Sequence, residues 1–338
     1  MKKAMVIGIS PNYNYPGSLE KWSSDNTFYA SNHGASLITR AIMREFNAEY
    51  ICDFSDIDGL REKYDVCYLA LSTHAHSRRD ISKYVDFLEK LKVKVVILSI
   101  GVEDYLSDPS AEYKLHPSII RLLNIATEST NWIGVRGPYT ASILQQNGFK
   151  NVVPIGCPSV YWNLKRDFHL SLKSKYEKPL IVYHKTMAKQ AYHLIKDIKL
   201  LGQDFQDQAI FTDTLQNDYI LQRMEHKFYQ DIENSYEVYR QIKKMGIFPF
   251  EFEEWFNIIG SSDFVFGARL HGVICALIQG IPAILATRDL RAREMSEVFN
   301  LPSIEYKNLS KYSSLDDLIK SVDFNKFIET YKKRYAII

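Results

Sequence analysis

The sequence predicts an α/β protein in which two parallel-sheet domains face each other across a cleft. Three observations carry this reading. Short apolar, β-favouring runs alternate with helical patterns along the chain, which is the mark of a parallel sheet with crossover helices. The 338 residues suffice for two domains, each with its own core. Each half also places an arginine at the end of a strand and just before a helix: Arg136 in Val135-Arg136-Gly137-Pro138, and Arg269 in Gly267-Ala268-Arg269-Leu270-His271-Gly272.

Taken in order, residues 3–9 read as the first strand, followed by a long polar and aromatic loop over 10–30 that contains Pro11, Pro16 and Gly17. A loop of that length inside a compact domain is functional or mobile. Ser31 or Asn32 can cap a helix whose Leu37, Ile38, Ile42 and Phe46 fall at helical spacing. Strands follow at 49–52 and 66–71, an amphipathic helix at 81–91 and a strand at 93–100. The run 131–136 is a strand that turns at Gly137, and Pro138 stands where the first position of a helix tolerates it. Gly148 ends that helix, and a strand at 152–155 stops at Gly156-Cys157-Pro158.

Residues 162–178 are polar and poorly periodic, as an inter-domain linker would be. This sets an N-terminal domain at 1–160 and a C-terminal domain at 179–312, with closing helices at 315–321 and 324–335 that pack back across both. Within the second domain a strand at 180–183 carries His184 at its end, 191–201 reads as a helix, 211–213 closes a further strand, and 216–245 reads as helical. Residues 252–259 form a helix feeding the strand 264–266. The uniformly apolar 273–278 is a buried helix stopped by Gly280 and Pro282, with a strand at 283–285 behind it. Asp289 caps a last helix at 290–299 bearing Arg291, Arg293 and Glu294.

Composition narrows the function classes. Hydrophobic residues make up 46% and charged residues 24%, ordinary for a globular protein, and a net charge of +2 gives no general case for nucleic-acid binding. No run approaches the ~18 to 20 apolar residues of a membrane span, and the N-terminal apolar stretch is too short for a secretory leader. Cys52, Cys67, Cys157 and Cys275 lie far apart without metal-ligand spacing. They read as buried, reduced thiols of a cytoplasmic protein. No metal site and no cofactor are expected.

The chemistry concentrates at the two strand ends. A strand, tight turn and helix present backbone N–H groups and the positive end of the helix dipole, which suits an anion. Arginine adds a planar fork of donors and histidine a proton-transfer group near neutral pH. The alternative is that Arg269 pairs with a structural carboxylate and His271 is a satisfied core histidine. Arg-Leu-His between two glycines at a strand end favours function. Two arginines, a histidine and helix N-termini around one cleft call for a small, multiply anionic ligand carrying carboxylate, phosphate or both.

These segments resemble the polysaccharide pyruvyl transferases. The resemblance rests on 267–272 with Gly280-Ile281-Pro282 behind it, on Val135-Arg136-Gly137-Pro138, on Gly156-Cys157-Pro158 and on Asn32-His33-Gly34. It implies two Rossmann-like domains in a GT-B-like arrangement. It also implies transfer of a pyruvyl group from phosphoenolpyruvate, as co-substrate, onto a saccharide as a cyclic ketal in bacterial surface polysaccharide synthesis. By the same resemblance Arg269, Leu270 and His271, with Gly272 beside them, match the donor site and Arg136 its partner. The chemistry of the reaction then makes His271 the candidate acid and Arg269 the catalytic arginine that, with Arg136, holds phosphate and carboxylate. Asn32, His33, His184 and Glu294 are candidates on the acceptor side. The acceptor would be a free, lipid-linked or nucleotide-linked saccharide, with peripheral membrane association left open. The sequence departs from the family at Ala35 and at Leu71-Ser72-Thr73-His74, both on the acceptor side. A nucleotide-sugar glycosyltransferase and a non-catalytic sugar or anion binder are the alternatives.

Overall fold

The computed structural model describes residues 3–13, 31–102, 113–163, 165–212 and 235–335. Its first half holds β1 (Lys3–Gly8), β2 (Ala48–Tyr50), β3 (Tyr64–Ala70) and β4 (Lys94–Val96), paired in parallel in the order β2-β1-β3-β4. A further parallel pair, β5 (Ile133–Val135) and β6 (Val152–Pro154), extends this sheet through a bridge between Ile100 and Val135. The crossover helices are α1 (His33–Glu45), α2 (Ile57–Lys63), α3 (Ser82–Leu91), α4 (Pro117–Thr130) and α5 (Pro138–Gln146). Local chemistry sets their ends: the Asn32 side chain accepts from the Ala35 N–H, Pro138 opens α5, and Lys92 and Asn131 close α3 and α4 in the left-handed conformation.

The second half holds β7 (Pro179–Val182), β8 (Lys199–Leu201), β9 (Gly246–Ile247), β10 (Phe264–Gly267), β11 (Ala283–Thr287) and β12 (Ser303–Glu305). They run parallel in the order β12-β11-β10-β7-β8-β9, so the strand order reverses between β7 and β10, where doubly wound sheets open a crevice at their carboxyl ends. The helices are α6 (Met187–Gln190), α7 (Tyr192–Ile195), α8 (Phe205–Phe211), α9 (Ser235–Met245), α10 (Phe252–Gly260), α11 (Leu270–Ile278), α12 (Leu290–Phe299), α13 (Leu315–Lys320) and α14 (Asn325–Tyr335). Every residue of β10 and β11 is buried, which explains their unbroken apolar character between two helical layers.

Two expectations are corrected. Residues 191–201 are not one helix: after α7 the chain becomes β8, because Leu200 and Leu201 pair in register with Ile181 and Val182 of β7. Residues 211 and 212 do not close a strand, since Asp204 and Asp207 form a capping box that starts α8 and carries it to Phe211. The expected loop at 14–30, residue 213 and the stretch 216–234 lie outside the described residues. No helix among the described residues is long and apolar enough to cross a membrane.

The halves share a core through α1. Leu37, Ile38 and Ile42 from its buried face belong to the same apolar cluster as β7, β10 and α11. Backbone bonds lock this contact: Phe205 N–H donates to the Ser31 carbonyl at 3.1 Å and His33 N–H to the Gln203 carbonyl at 3.0 Å. α14 lies against α12 and the connecting segment, with Tyr331 stacked near Phe168 and Asn300 donating to Thr330. Gly34 permits the closest approach, since a Cβ there would stand 2.5 Å from Gln203 Nε2 and 2.6 Å from His271 Cβ. Gly34→Ala is therefore expected to cost about 1–3 kcal/mol through overpacking, read as a lowered urea midpoint, and to reduce turnover by displacing His271.

Candidate active site

A cleft of about 180 Å³ lies where the two sheets face each other. Its walls are the segments just past β3 (Ser72, Thr73), β5 (Arg136), β7 (His184), β8 (Gln203), β10 (Ala268 to His271) and β11 (Arg288, Asp289, Arg291, Ala292), with Asn32 and Ala35 at the start of α1 on one side. All six strands contribute their carboxyl ends, the position at which open parallel sheets hold ligands. The sequence-predicted Asn32, Arg136, His184, Arg269, Leu270 and His271 are thus brought together.

The two arginines are not equivalent. Arg269 Nη1 lies 2.6 Å from Asp204 Oδ2, Nη2 donates to Asp207 Oδ2 at 2.7 Å, and Nε donates to the Tyr183 carbonyl at 3.0 Å. Each nitrogen of its guanidinium has a protein partner, so Arg269 braces the β10–α11 turn while still lining the cleft. Burial pushes the Asp207 carboxyl up to about 7, against the pull of Arg269 and with the push of Asp204.

Arg136 has the opposite surroundings. It is 3% exposed, its Nη2 donates to Ser72 Oγ at 2.9 Å, and among the described residues it forms no ion pair and its Nε finds no partner. Gly101 makes room for it, because a Cβ there would lie 2.6 Å from Arg136 Cδ. Burial pulls its proton affinity down, with neighbouring Glu294 among the groups pulling the other way. A buried guanidinium without a carboxylate is costly in free energy and is poised for an anion.

The histidines separate by environment. His271 Nε2 stands 3.5 Å from Cys157 Sγ, and burial, then the charges of Arg136 and Arg291, press its pKa down to about 3. His184 lies in the cleft with Nδ1 2.9 Å from Thr186 Oγ1 and Nε2 accepting from Arg288 Nη1 at 2.9 Å. Burial, then Arg269 and Arg288, hold it neutral. It orients Arg288.

Three further sequence-predicted residues, His33, Glu294 and Gly272, are not among those that line the cleft. His33 is fully buried outside the cleft, its Nε2 donating to the Pro249 carbonyl at 2.9 Å and its ring stacked near Trp255 and Tyr13. Glu294 accepts from both the N–H and the hydroxyl of Thr140, at 3.0 and 2.9 Å, and so caps α5 from the other half of the chain. Gly272 faces Val182 and Gln203, where a Cβ would come within 2.7 Å of Val182 Cγ1, and does not line the cleft. Asn32 does line it, though its Oδ1 already accepts from Ala35 N–H and Gln203 Nε2.

Sequence reasoning missed Arg288, Gln203 and the Asp204–Asp207 pair. The last had a signal in Asp-x-x-Asp before an apolar turn, the spacing of a capping box. Ser72 and Thr73 drew notice only as departures from a pattern, and they line the cleft beside Arg136.

The contrast between the arginines is testable. Arg269→Met strands two buried carboxylates and should cost about 3–5 kcal/mol of stability, whereas Arg136→Gln should leave stability within about 1 kcal/mol or raise it; urea titration of both variants checks this. The buried histidines add a pH dependence. Burial, partly offset by the Pro249 carbonyl, lowers His33 from 6.5 to about 4, so its contribution is intact above 6.5 and is lost as pH falls toward 4. Over that window His33→Gln should lose up to about 3 kcal/mol less stability than the parent chain, read from urea midpoints at several pH values.

Several solved structures resemble the chain along nearly its whole length. UDP-GlcNAc 2-epimerase from Neisseria meningitidis shares 13% identity at a TM-score of 0.45, covering 99% of this chain and 94% of that one. The HepE protein of Anabaena, solved with UDP and glucose, shares 9% at 0.45, covering 100% and 94%. A putative UDP-N-acetylglucosamine 2-epimerase from Listeria monocytogenes shares 13% at 0.44, covering 99% and 91%. No functionally curated protein matches the chain. The sequence profile of the polysaccharide pyruvyl transferases matches residues 7–289, a span that runs from β1 to Asp289 and takes in most of the cleft, and the chain belongs to the polysaccharide pyruvyl transferase family.

Proposed function

We propose that the protein transfers a pyruvyl group from phosphoenolpyruvate to two hydroxyls of a saccharide in the synthesis of a bacterial surface polysaccharide, forming a cyclic ketal and releasing phosphate. The observation that carries this reading is Arg136, a buried guanidinium without a carboxylate partner, beside His271 at the N-terminus of α11. The donor is a small anion with a carboxylate and a phosphate, and Arg136, Arg291 and Arg288 supply the positive charge to hold it.

The reaction needs a proton at the methylene carbon of the donor, which leaves a cationic centre at the neighbouring carbon. One sugar hydroxyl adds there, phosphate departs with its bridging oxygen, and the second hydroxyl closes the ketal. Of the two hydroxyl protons, one restores the acid and the other leaves with phosphate, so the balance closes. His271 is the acid. Its neutral state without an anion follows from burial and from Arg136 and Arg291. A donor seated between those cations cancels their repulsion, so donor and proton bind together. Arg136 then stabilises the phosphate as charge grows on it.

Incubation with phosphoenolpyruvate or nucleotide sugars and candidate saccharides, followed by phosphate, nucleotide and product mass, tests the reading. Acceptor-dependent phosphate release and a product carrying the pyruvyl ketal are expected; nucleotide release, or no release, would overturn it. His271→Ala should lower turnover at least about a hundredfold without unfolding the chain. Because a proton enters with the donor, phosphoenolpyruvate affinity should weaken by up to about tenfold per pH unit on the alkaline side, measured by titration calorimetry, and this dependence should vanish in His271→Ala.

A further inference from the structure

The Gly156-Cys157-Pro158 segment has so far no part in the chemistry. Cys157 is fully buried, yet its sulfur lies between two polar groups: Ser159 Oγ donates to Cys157 Sγ at 3.1 Å, and Cys157 Sγ is 3.5 Å from His271 Nε2. Gly156, at φ +89, makes the turn that sets Cys157 there, and the Pro158–Tyr161 3-10 turn carries Ser159. Ser159 is also fully buried. With a hydroxyl donated to it, the sulfur's own proton is directed at Nε2. That arrangement puts the imidazole N–H on Nδ1, while the ring lines the cleft.

We propose that Cys157, seated by Ser159, is the positioning residue of His271: it holds the ring by Nε2 so that Nδ1–H is the proton offered to the substrate. A thiol serves both proton states of the ring. It donates to Nε2 of the neutral imidazole; when the ring is protonated, the thiol rotates and accepts from Nε2–H. The acid then gives its Nδ1 proton to the donor's methylene carbon, a C–H bond forms as N–H breaks, and the ring returns to neutrality with the remaining proton on Nε2, facing sulfur. The charged groups acting on His271 are Arg136 from the first domain and Arg291 from the second, and Cys157 is its third titratable neighbour. The proposal rests on His271 being the acid of pyruvyl transfer.

The test uses the full-length chain with Cys157→Ala and Cys157→Ser. In wild type, nitrogen NMR of labelled histidine should show His271 as the Nδ1–H tautomer; Cys157→Ala should lose that preference and Cys157→Ser retain it. In turnover, Cys157→Ala should lower kcat about ten- to a hundredfold with KM for phosphoenolpyruvate little changed, and should move the alkaline limb of the kcat profile to lower pH, because the imidazolium loses a buried acceptor. Cys157→Ser should recover most of kcat and the original pH limb. An Nε2–H tautomer in wild type, an unchanged tautomer in Cys157→Ala, or a kcat for that variant within about twofold of wild type would overturn the proposal. The NMR readout needs no substrate, so it stands or falls separately from phosphate release.

Discussion

One buried guanidinium organises the second sheet's working edge. Arg269 reaches from the β10–α11 turn to Asp204 and Asp207 beyond β8 and to the Tyr183 carbonyl beyond β7. The ends of three neighbouring strands are thereby tied at the place where strand order reverses, and the loops there cannot drift apart without exposing a charge to a low-dielectric interior. His271 follows Arg269 by two residues, so its position is inherited from this brace. The pairing also removes one positive charge from the cleft, leaving the field to Arg136, Arg288 and Arg291 around Asp289.

That residual field explains why similar residues do different work. His33, His184 and His271 are all buried and all pushed toward neutrality, with desolvation the first cause in each case. Their roles diverge through their partners. The Pro249 carbonyl and stacked rings absorb His33 into the interface of the domains, Arg288 occupies His184, and Cys157 takes one edge of His271. Of these rings, His271 both feels the charge of Arg136, which has no ion-pair partner among the described residues, and opens on the cleft.

The two halves of the chain meet through more than the walls of the cleft. α1 follows the first strand in sequence, yet its buried face completes the core of the second sheet, and Glu294 of α12 caps α5 across the divide. Gly34 and Gly137 sit at these two contacts, each too close to an opposing side chain to bear a Cβ without rearrangement. The cleft is accordingly a product of packing between halves. Its geometry is set by the welds on either side of it.

Alternating periodicity, Pro138 at a helix start, Asn32 and Asp289 as caps and the Gly280-Ile281-Pro282 stop were enough to read the parallel α/β order and to locate the two strand ends that bear arginine. Those signals are local, and local signals survive in a single sequence. The segment around β8 was misread because Leu200 and Leu201 suit a helix or a strand equally, and a partner strand decided between them. Which arginine meets a carboxylate was likewise beyond the sequence, since Asp204 and Asp207 lie more than sixty positions from Arg269. Residue order determined the elements and the chemistry at their ends; only tertiary packing decided that Arg269 is neutralised, that Arg136 is not, and that a cysteine stands behind His271, because charge pairing and desolvation depend on distances that chain position does not record.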